Sequence, residues 1–389
     1  MNMKIRIIGG GPAGLYFASL MKREDPAHDI VIYERGARDA TWGFGVVFSD
    51  RALEFLRDDD EAMYQQLSPL MQTWPNLTIV HNDTRIPITG NGFAAIGRLE
   101  LLSLLYAHVE ALGVRIEFDS EVSSLADRER LGGADLIVGA NGASSWIRNE
   151  NEEKFGTISD LRRNKFIWYG TSKVFDSLSL TFRNTDHGVF CAHHYRYSPT
   201  MSTFLVEVEE ETWRQAGFEN MSPEDTVRHC ERVFAQDLDG HPILSNKSGW
   251  RQFPAIWNER WSFGNVVLIG DALRTAHFSI GSGTRLAMED AIALWKALRE
   301  NASVSEALAR YQELRLPPMK KIWDAANVSL RWYERMGELM KLPPVDFAYS
   351  YMTRTGRVNH AEVRRRDSAL AAAYEANHPE LRAAFGLTG

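Results

Sequence analysis

Cysteine is almost absent from this chain. Only Cys191 and Cys230 occur among 389 residues. Two such residues, far apart, make neither a disulfide framework nor a metal-ligand spacing, so reduced, buried thiols of a cytosolic protein are expected. Long apolar runs are also missing. No stretch approaches the ~20 residues needed to cross a bilayer as a helix. The apolar N-terminal segment is short and breaks at Gly9-Gly10-Gly11, which does not fit a secretory leader. Positive charge is not in excess. Lys and Arg number 44 against 51 Asp and Glu, a formal net charge of −7, which argues against nonspecific nucleic-acid binding. Internal repeats, low-complexity tracts, a Ser-His-Asp pattern and metal clusters do not stand out. These absences leave a cytoplasmic protein with no nucleic-acid or membrane partner. The length favours two domains, and 44% hydrophobic residues suffice for a sizeable core.

The strongest positive signal lies in the first 35 residues. Lys4–Ile8 reads as a buried strand, Gly9-Gly10-Gly11-Pro12-Ala13-Gly14 as a turn, and Leu15–Met21 as a helix. A second strand, Ile30–Tyr33, ends at Glu34, twenty residues beyond Gly14. Strand, G-x-G-x-x-G, helix, strand and acid form a dinucleotide-binding fingerprint. Gly9 permits the tight turn. Gly11 lets backbone approach a pyrophosphate, and Gly14 lets helix pack on strand. The helix N-terminus attracts phosphate, and Glu34 can accept from ribose hydroxyls.

Farther along, Trp42–Asp50 is glycine-rich and apolar, suited to lie against a planar group. A helical pattern follows from Arg51 to Leu56, with Ser49 or Asp50 as its cap. Thr78–Val80 and Thr84–Ile88 read as short strands, and Gly97–Leu102 begins a helix. Val114–Phe118 is a strand continued by Glu121-Val122. Asp135–Ala140 is a strand leading into Asn141–Arg148. Together these give a doubly wound, mostly parallel sheet. From Asn164 the pattern changes. Lys165–Val174, Ser179–Arg183, Gly188–Tyr197 and Thr203–Glu209 alternate like an antiparallel sheet. Alternation places His193, Tyr195 and Tyr197 on one face of it. Ser222-Pro223 opens a helix running to about Gln236. Gly264–Asp271 is a buried strand, Thr284–Arg299 a helix, and residues from Ser305 are helical with breaks at Pro317-Pro318 and Pro343-Pro344. The expected fold is α/β: a Rossmann-like domain of residues 1–77, 92–163 and 255–304, an antiparallel-sheet substrate domain of 78–91 and 164–254, and a helical region at 305–389. That last region suits either a cover over the site or a contact in a homo-oligomer.

A second signal supports the first. Gly270-Asp271 ends a strand, and Gly281-Ser282-Gly283-Thr284 opens a helix. Such an acid can bind a ribityl or ribose hydroxyl, and the positive helix start can stabilise negative charge on a reduced ring. With Gly9-x-Gly11-x-x-Gly14, Glu34 and the Asp135–Arg148 segment, these motifs resemble, in order, the single-component FAD-dependent aromatic monooxygenases, the family of para-hydroxybenzoate hydroxylase. The resemblance spans most of residues 1–300. It implies FAD as cofactor, held by Gly9, Gly11, Pro12, Ala13, Gly14, Glu34 and Arg35, then by Gly45 and Val46 beside the isoalloxazine. Arg98 near the cofactor, Val122 near the adenine, and Asp271, Gly281, Ser282, Gly283 and Thr284 complete the implied set. It also implies NADH or NADPH as reductant, and O2 as oxidant through a flavin C4a-hydroperoxide attacked by an electron-rich ring.

Three segments resemble the branch containing salicylyl-CoA 5-hydroxylase and the flavin part of 2-aminobenzoyl-CoA monooxygenase. They are Gly43–Asp50, Asn164–Thr171 and Ala276–Thr284; Tyr351–Arg357 adds to them. The second and third also resemble a violacein-pathway monooxygenase acting on an indole compound. The chain departs from the broader family at Asn141, usually Asp, at Arg274, often His, and at Phe278-Ser279-Ile280, where a proline is usual. The resemblance implies hydroxylation of an aryl-CoA, with salicylyl-CoA to gentisyl-CoA as the first reading. An indolic or other non-CoA aromatic substrate, or a non-oxygenating flavin reductase, is the alternative. His277, four residues before Gly281, is the candidate polar group at the reacting edge. Arg162-Arg163-Asn164-Lys165, Lys320-Lys321 and Arg364-Arg365-Arg366 are candidates for the CoA phosphates.

Overall fold

Strand Lys4–Ile8 sits in the middle of a six-stranded sheet. In the computed structural model, which describes residues 2–40, 43–49 and 54–380, the strand order is Ser262–Phe263, Val266–Leu268, Leu136–Gly139, Lys4–Ile8, Asp29–Tyr33, Arg115–Glu117. All neighbours run parallel except the Ser262–Phe263 edge. The strands are short and apolar because helices Pro12–Glu24 and Gly283–Glu300, packed on one another, help to cover them. The parallel direction brings Gly9, Glu34, Ala140-Asn141 and Gly270 to one edge, at the carboxyl ends of the strands. Connections leave the central strand in opposite senses there, which is where ligands bind in such sheets.

A second sheet orders Ile243–Ser245, Thr157–Thr171, Ser202–Val208, Gly188–Arg196, Leu178–Thr185, Leu77–His81 and Thr84–Ile88, with Arg251–Asn258 also paired to Thr157–Thr171. It is mixed rather than wholly antiparallel, because Leu77–His81 joins Leu178–Thr185 in parallel. The change read at Asn164 is not a break. Thr157–Thr171 runs unbroken across it, and only the register against Arg251–Asn258 shifts, between Leu161 and Lys165. A third sheet of Gly45–Ser49, Phe93–Gly97 and Gln72–Trp74 joins the two halves. Phe93–Gly97 was not anticipated, since its alanines and glycine are poor strand formers.

Other elements differ in detail. Glu121-Val122 does not extend a strand. It forms a loop, and Val122 is buried among the apolar residues packed around the parallel sheet, such as Ile32 and Leu105. Of the pattern at Arg51–Leu56 the described part is helix Glu54–Asp59. Asp50, Arg51 and Trp42 lie outside the described residues. Ser222 caps helix Pro223–Val233 through a bond from the Asp225 amide. Helix Val304–Tyr333 runs through Pro317 and Pro318. Each proline removes an amide donor, a cost of ~3 kcal/mol inside a helix. Packing on both sides outweighs it. Tyr311 and Met319 are fully buried, and Arg315 is paired with Glu289 at 2.6 Å and Asp290 at 3.0 Å. The second pair, Pro343-Pro344, does separate helices, and Pro344 opens Pro344–Thr353.

Adjacent histidines on strand Gly188–Arg196 face opposite ways. His194 lies between Phe175 and Phe204, with ring centroids at 3.9 and 5.4 Å. Its Nε2 meets Thr181 Oγ1 at 2.9 Å. Burial pushes its pKa down to about 3. A histidine shifted this way binds fewer protons folded than unfolded. Its neutral form is at home above pH ~6.5, and stability falls as pH drops from there toward the folded value. The expected loss from this site is about 2 kcal/mol at pH 5. His194→Gln should flatten that slope in denaturant melts taken between pH 7.5 and 5. An unchanged slope would assign the acid sensitivity elsewhere.

Candidate active site

The fingerprint glycines have different jobs. A Cβ on Gly9, whose φ is +110°, would lie 2.4 Å from the Ala140 carbonyl oxygen, and one on Gly14 would lie 2.4 Å from the Gly9 carbonyl oxygen. These two are required by the packing of strand ends and helix. A Cβ on Gly11 or Gly283 meets nothing within 4 Å. Gly11 caps helix Pro12–Glu24 and Ser282 caps helix Gly283–Glu300. Neither helix has a side-chain cap or an acid in its first turn. Both N-termini therefore keep free amide donors and positive potential. Glu34 accepts from Gly10 N at 2.7 Å and Gly36 N at 2.8 Å, which fixes the carboxylate beside the glycine turn. Tyr106, not foreseen, donates to the Gly10 carbonyl at 3.0 Å. Arg35 is exposed beside Glu34.

The Gly270-Asp271 turn is clamped from below. Asp290, fully buried, accepts from the Gly270 amide at 3.1 Å and from Arg274 at 2.7 Å, while Arg274 also donates to the Gly270 carbonyl at 2.8 Å. The departure at Arg274 is thus a structural one: this side chain faces Asp290 and the turn. Arg148 joins the Ala272 and Ala143 carbonyls at 3.1 and 2.6 Å, tying this turn to the loop after the neighbouring strand. Asn141 keeps a buried Oδ1 without a partner. Asp271 is open to solvent at the bottom of a deep cleft. Its surroundings of protein push its carboxyl up, and Arg274, Arg98 and Arg148 oppose that. Arg98, at the start of helix Arg98–Ala111, has a buried Nε with no partner.

A cavity of about 250 Å³ continues from this cleft. One end carries Val46, Arg98, Asp271 and Gly281–Thr284. The other is walled by Phe166, Trp168, Phe253, Phe278 and Tyr351, with Leu178, Leu180, His193, Tyr195, Thr203 and Leu205 from the second sheet. Gly45 is not on the wall. Its amide donates to Thr203 Oγ1 at 3.0 Å, and its carbonyl accepts from Tyr195 OH at 3.0 Å. A Cβ there would lie 2.5 Å from the Tyr197 Cβ, so glycine is what lets the two halves touch. His193 and Tyr195 line the cavity and Tyr197 packs beside it, as alternation implies.

His277 is set behind the cavity wall. It is 3% exposed, its Nδ1 is paired with Ser279 Oγ at 2.8 Å, and burial pushes its pKa down to about 4 against the opposing charge of Glu207. The histidine on the wall is His193. Its Nε2 meets Glu207 Oε2 at 3.0 Å, and Asn164 donates to Glu207 Oε1 at 2.8 Å. Glu207 is 1% exposed. Burial alone would raise its carboxyl, but the His193 hydrogen bond, the nearby His277 and the Asn164 amide hold it below the usual carboxylate range. Glu207 was read only as part of a strand; a lone acid at an inward position of an apolar strand was its one signal. Several members of the basic runs are paired locally. Arg162 pairs with Asp160 and Glu334, Lys320 with Asp324, Arg364 with Glu375, and Arg365 and Arg366 with Glu362. Among the described residues, none of these runs reaches the cavity wall. No described group of His, Cys, Asp and Glu would hold a metal ion, and no described helix is long and apolar enough to cross a membrane.

Two helix starts without side-chain caps, an arginine with an unpartnered Nε, an acid at a strand end and open space at Gly11 and Gly283 suit a phosphate-bearing flavin cofactor. The site defines a flavin-dependent oxidoreductase. The chain belongs to the FAD binding domain family, whose profile matches residues 2–326. It is 39% identical to salicyloyl-CoA 5-hydroxylase from a Streptomyces species over 364 residues, 91% of this chain and 70% of that protein. It is 36% identical to protodeoxyviolaceinate monooxygenase of Chromobacterium violaceum over 360 residues, 90% of this chain and 94% of that one. Its fold is shared with a crystal structure of 2-methyl-3-hydroxypyridine-5-carboxylic acid oxygenase, at a TM-score of 0.68 and 19% identity, covering 95% of this chain and 96% of that chain. The protein is an FAD-dependent monooxygenase of the aromatic-hydroxylase type.

The glycines give a direct test. Gly9→Ala should destabilise the protein without cofactor, because backbone lies in the way. Gly11→Ala should leave the melting temperature of the apoprotein unchanged yet weaken FAD binding by at least about tenfold. Apoprotein melts and FAD titration by fluorescence quenching check both. Equal effects of Gly11→Ala on apoprotein stability and FAD affinity would contradict the assigned roles.

Proposed function

We propose that the protein inserts one oxygen atom from O2 into an aryl-CoA thioester, with NADH or NADPH as reductant, and that salicylyl-CoA going to gentisyl-CoA is its reaction. The observation carrying this reading is the single cavity that joins the flavin-type elements to an aromatic-walled space. Arg98, Asp271 and Gly281–Thr284 stand at one end, and Phe166, Trp168, Phe253 and Phe278 at the other. Bound FAD supplies the redox chemistry. The glycine turn with Glu34 would hold its dinucleotide part, and Asp271, Arg98 and the start of helix Gly283–Glu300 its flavin part. The aromatic walls hold a flat ring and keep water from the reacting edge. The uncovered start of helix Gly283–Glu300 would favour negative charge on a reduced flavin ring bound there.

The substrate reading draws on the 39% identical salicyloyl-CoA 5-hydroxylase. A second reading, an indolic or other aromatic without CoA, is supported by the ion pairs that engage Arg162, Lys320, Arg365 and Arg366 away from the cavity wall and by the 36% identical protodeoxyviolaceinate monooxygenase.

Reductant oxidation should be followed with salicylyl-CoA, with salicylate and with neither, and the products analysed under ¹⁸O2. Labelled gentisyl-CoA from the thioester alone is the expected result. Stimulated oxidation that ends only in peroxide would remove the substrate assignment while leaving the flavin chemistry. Absence of bound flavin and of oxidation would remove both.

A further inference from the structure

We propose that His193 is the base that takes the proton of the substrate's ring hydroxyl, and that Glu207 is the positioning residue that orients it. The inference rests on the hydroxyaryl substrate proposed above. The two side chains come from neighbouring antiparallel strands. His193 stands opposite Leu205 and Cys191 opposite Glu207, so His193 and Glu207 are diagonal neighbours on one face. That face is the one lining the cavity. Bonding of Nε2 to an ionised carboxylate fixes the proton on Nε2 and leaves Nδ1 with its lone pair. No other hydrogen bond is made by the His193 side chain among the described residues. Its ring is held by Phe278 and Tyr333, with centroids at 5.3 and 5.0 Å.

A purely structural carboxylate here would be costly, since dehydrating it takes several kcal/mol. The surroundings instead maintain its charge. Asn164 fixes one oxygen and His193 the other. His277 lies 3.9 Å from Oε1, too far for a hydrogen bond. The other titratable and charged groups near the pair include Tyr333, Cys191, Glu209, His194, Arg354 and Arg162. Arg354 is held away from the imidazole by Ser329 Oγ and the Ser279 carbonyl, at 2.8 and 3.2 Å. Glu207 is thus the carboxylate that His193 meets.

In the proposed step the substrate O–H bond breaks, a new N–H bond forms at Nδ1, and the electron pair stays on the ring oxygen. The imidazolium is compensated by Glu207. Negative charge on that oxygen raises electron density at the carbons ortho and para to it. In a 2-hydroxybenzoyl thioester, position 5 is para to the hydroxyl. The ring carbon that gains oxygen later gives up its own proton, which leaves in the water made from the second oxygen atom of O2, and the ring oxygen regains its proton from His193, so the protons balance.

The test is spectroscopic first. FAD-loaded wild-type protein is titrated with salicylyl-CoA without reductant, and the bound ligand's absorbance is read for the ring-oxygen anion as pH is varied. The anion band should appear at a lower pH than for free salicylyl-CoA. His193→Gln should lose that shift, and Glu207→Gln should move it toward the free-ligand value. With reductant, His193→Gln should be slowed at least about 100-fold on salicylyl-CoA, as expected for removal of a general base. On a ring-fluorinated analogue with a more acidic hydroxyl it should stay within about tenfold of wild type, because little base is then needed. Wild-type protein that binds salicylyl-CoA with its hydroxyl neutral overturns the proposal without any variant. Equal loss on both substrates in a flavin-loaded His193→Gln overturns it too, leaving a structural role. Failure of the wild type to bind salicylyl-CoA at all overturns the substrate reading, and the proton assigned to His193 falls with it.

Discussion

The Asp290 carboxylate, fully buried between two guanidinium groups, is the constraint on which the site's shape depends. Removing one partner of such a group costs ~3–5 kcal/mol, because the remaining charge is stranded away from water. Arg274 and Arg315 both pair with it, and it also accepts from the Gly270 amide. Helix Gly283–Glu300 carries Asp290, so the start of that helix and the Gly270-Asp271 turn cannot move independently. Arg148 adds a strut to the next strand end through Ala143 and Ala272. The floor of the cleft is one hydrogen-bonded unit, although its parts are separated by more than a hundred residues.

The opposite wall is held by a different principle. Strands of the second sheet present alternate side chains to the cavity, and the register decides which ones. Gly45 and Gly170 make the fit between wall and floor possible by lacking side chains, against Tyr197 and Phe44 respectively. The wall therefore approaches the flavin-type elements through backbone and aromatic faces rather than through a flexible loop. This suits a site that must hold a flat ring and exclude water. Tyr351, from the C-terminal helices, closes the same cavity. Tyr351 thus lines the same cavity as Val46 near the other end of the chain.

The sequence was informative where the structure is local. Gly9, Gly14 and Glu34 lie within one strand–helix–strand unit, and their spacing carries their roles. The alternation of His193 and Tyr195 could likewise be read within one strand. Glu207 could not, because its meaning comes from Asn164, 43 residues away, and from a strand partner 14 residues away. His277 drew attention through its place beside the glycine-rich turn, but chain proximity did not show that its ring turns behind the wall toward Ser279. Pro317-Pro318 misled for the converse reason. The local rule is sound, but burial of Tyr311 and Met319 and the ion pairs of Arg315 outweigh it.

His193 and His194 show how much of the chemistry is decided by a single position along a strand. They are the same residue type, adjacent, and both buried. His194 turns into an apolar core, where its one described hydrogen bond is to a threonine hydroxyl, and burial suppresses its protonation. His193 turns toward the cavity and meets a carboxylate. A shift of one residue in the pairing would exchange their environments and place a neutral core imidazole at the reacting edge. What holds the register is packing on both faces at once: Phe190 and Ala192 toward the outer core, Cys191 and Tyr195 toward the inner one. The fold's apolar pattern thereby does the work of selecting which histidine can handle a proton. The Asn164–Glu207 pair needs only to hold the chosen one in a single orientation.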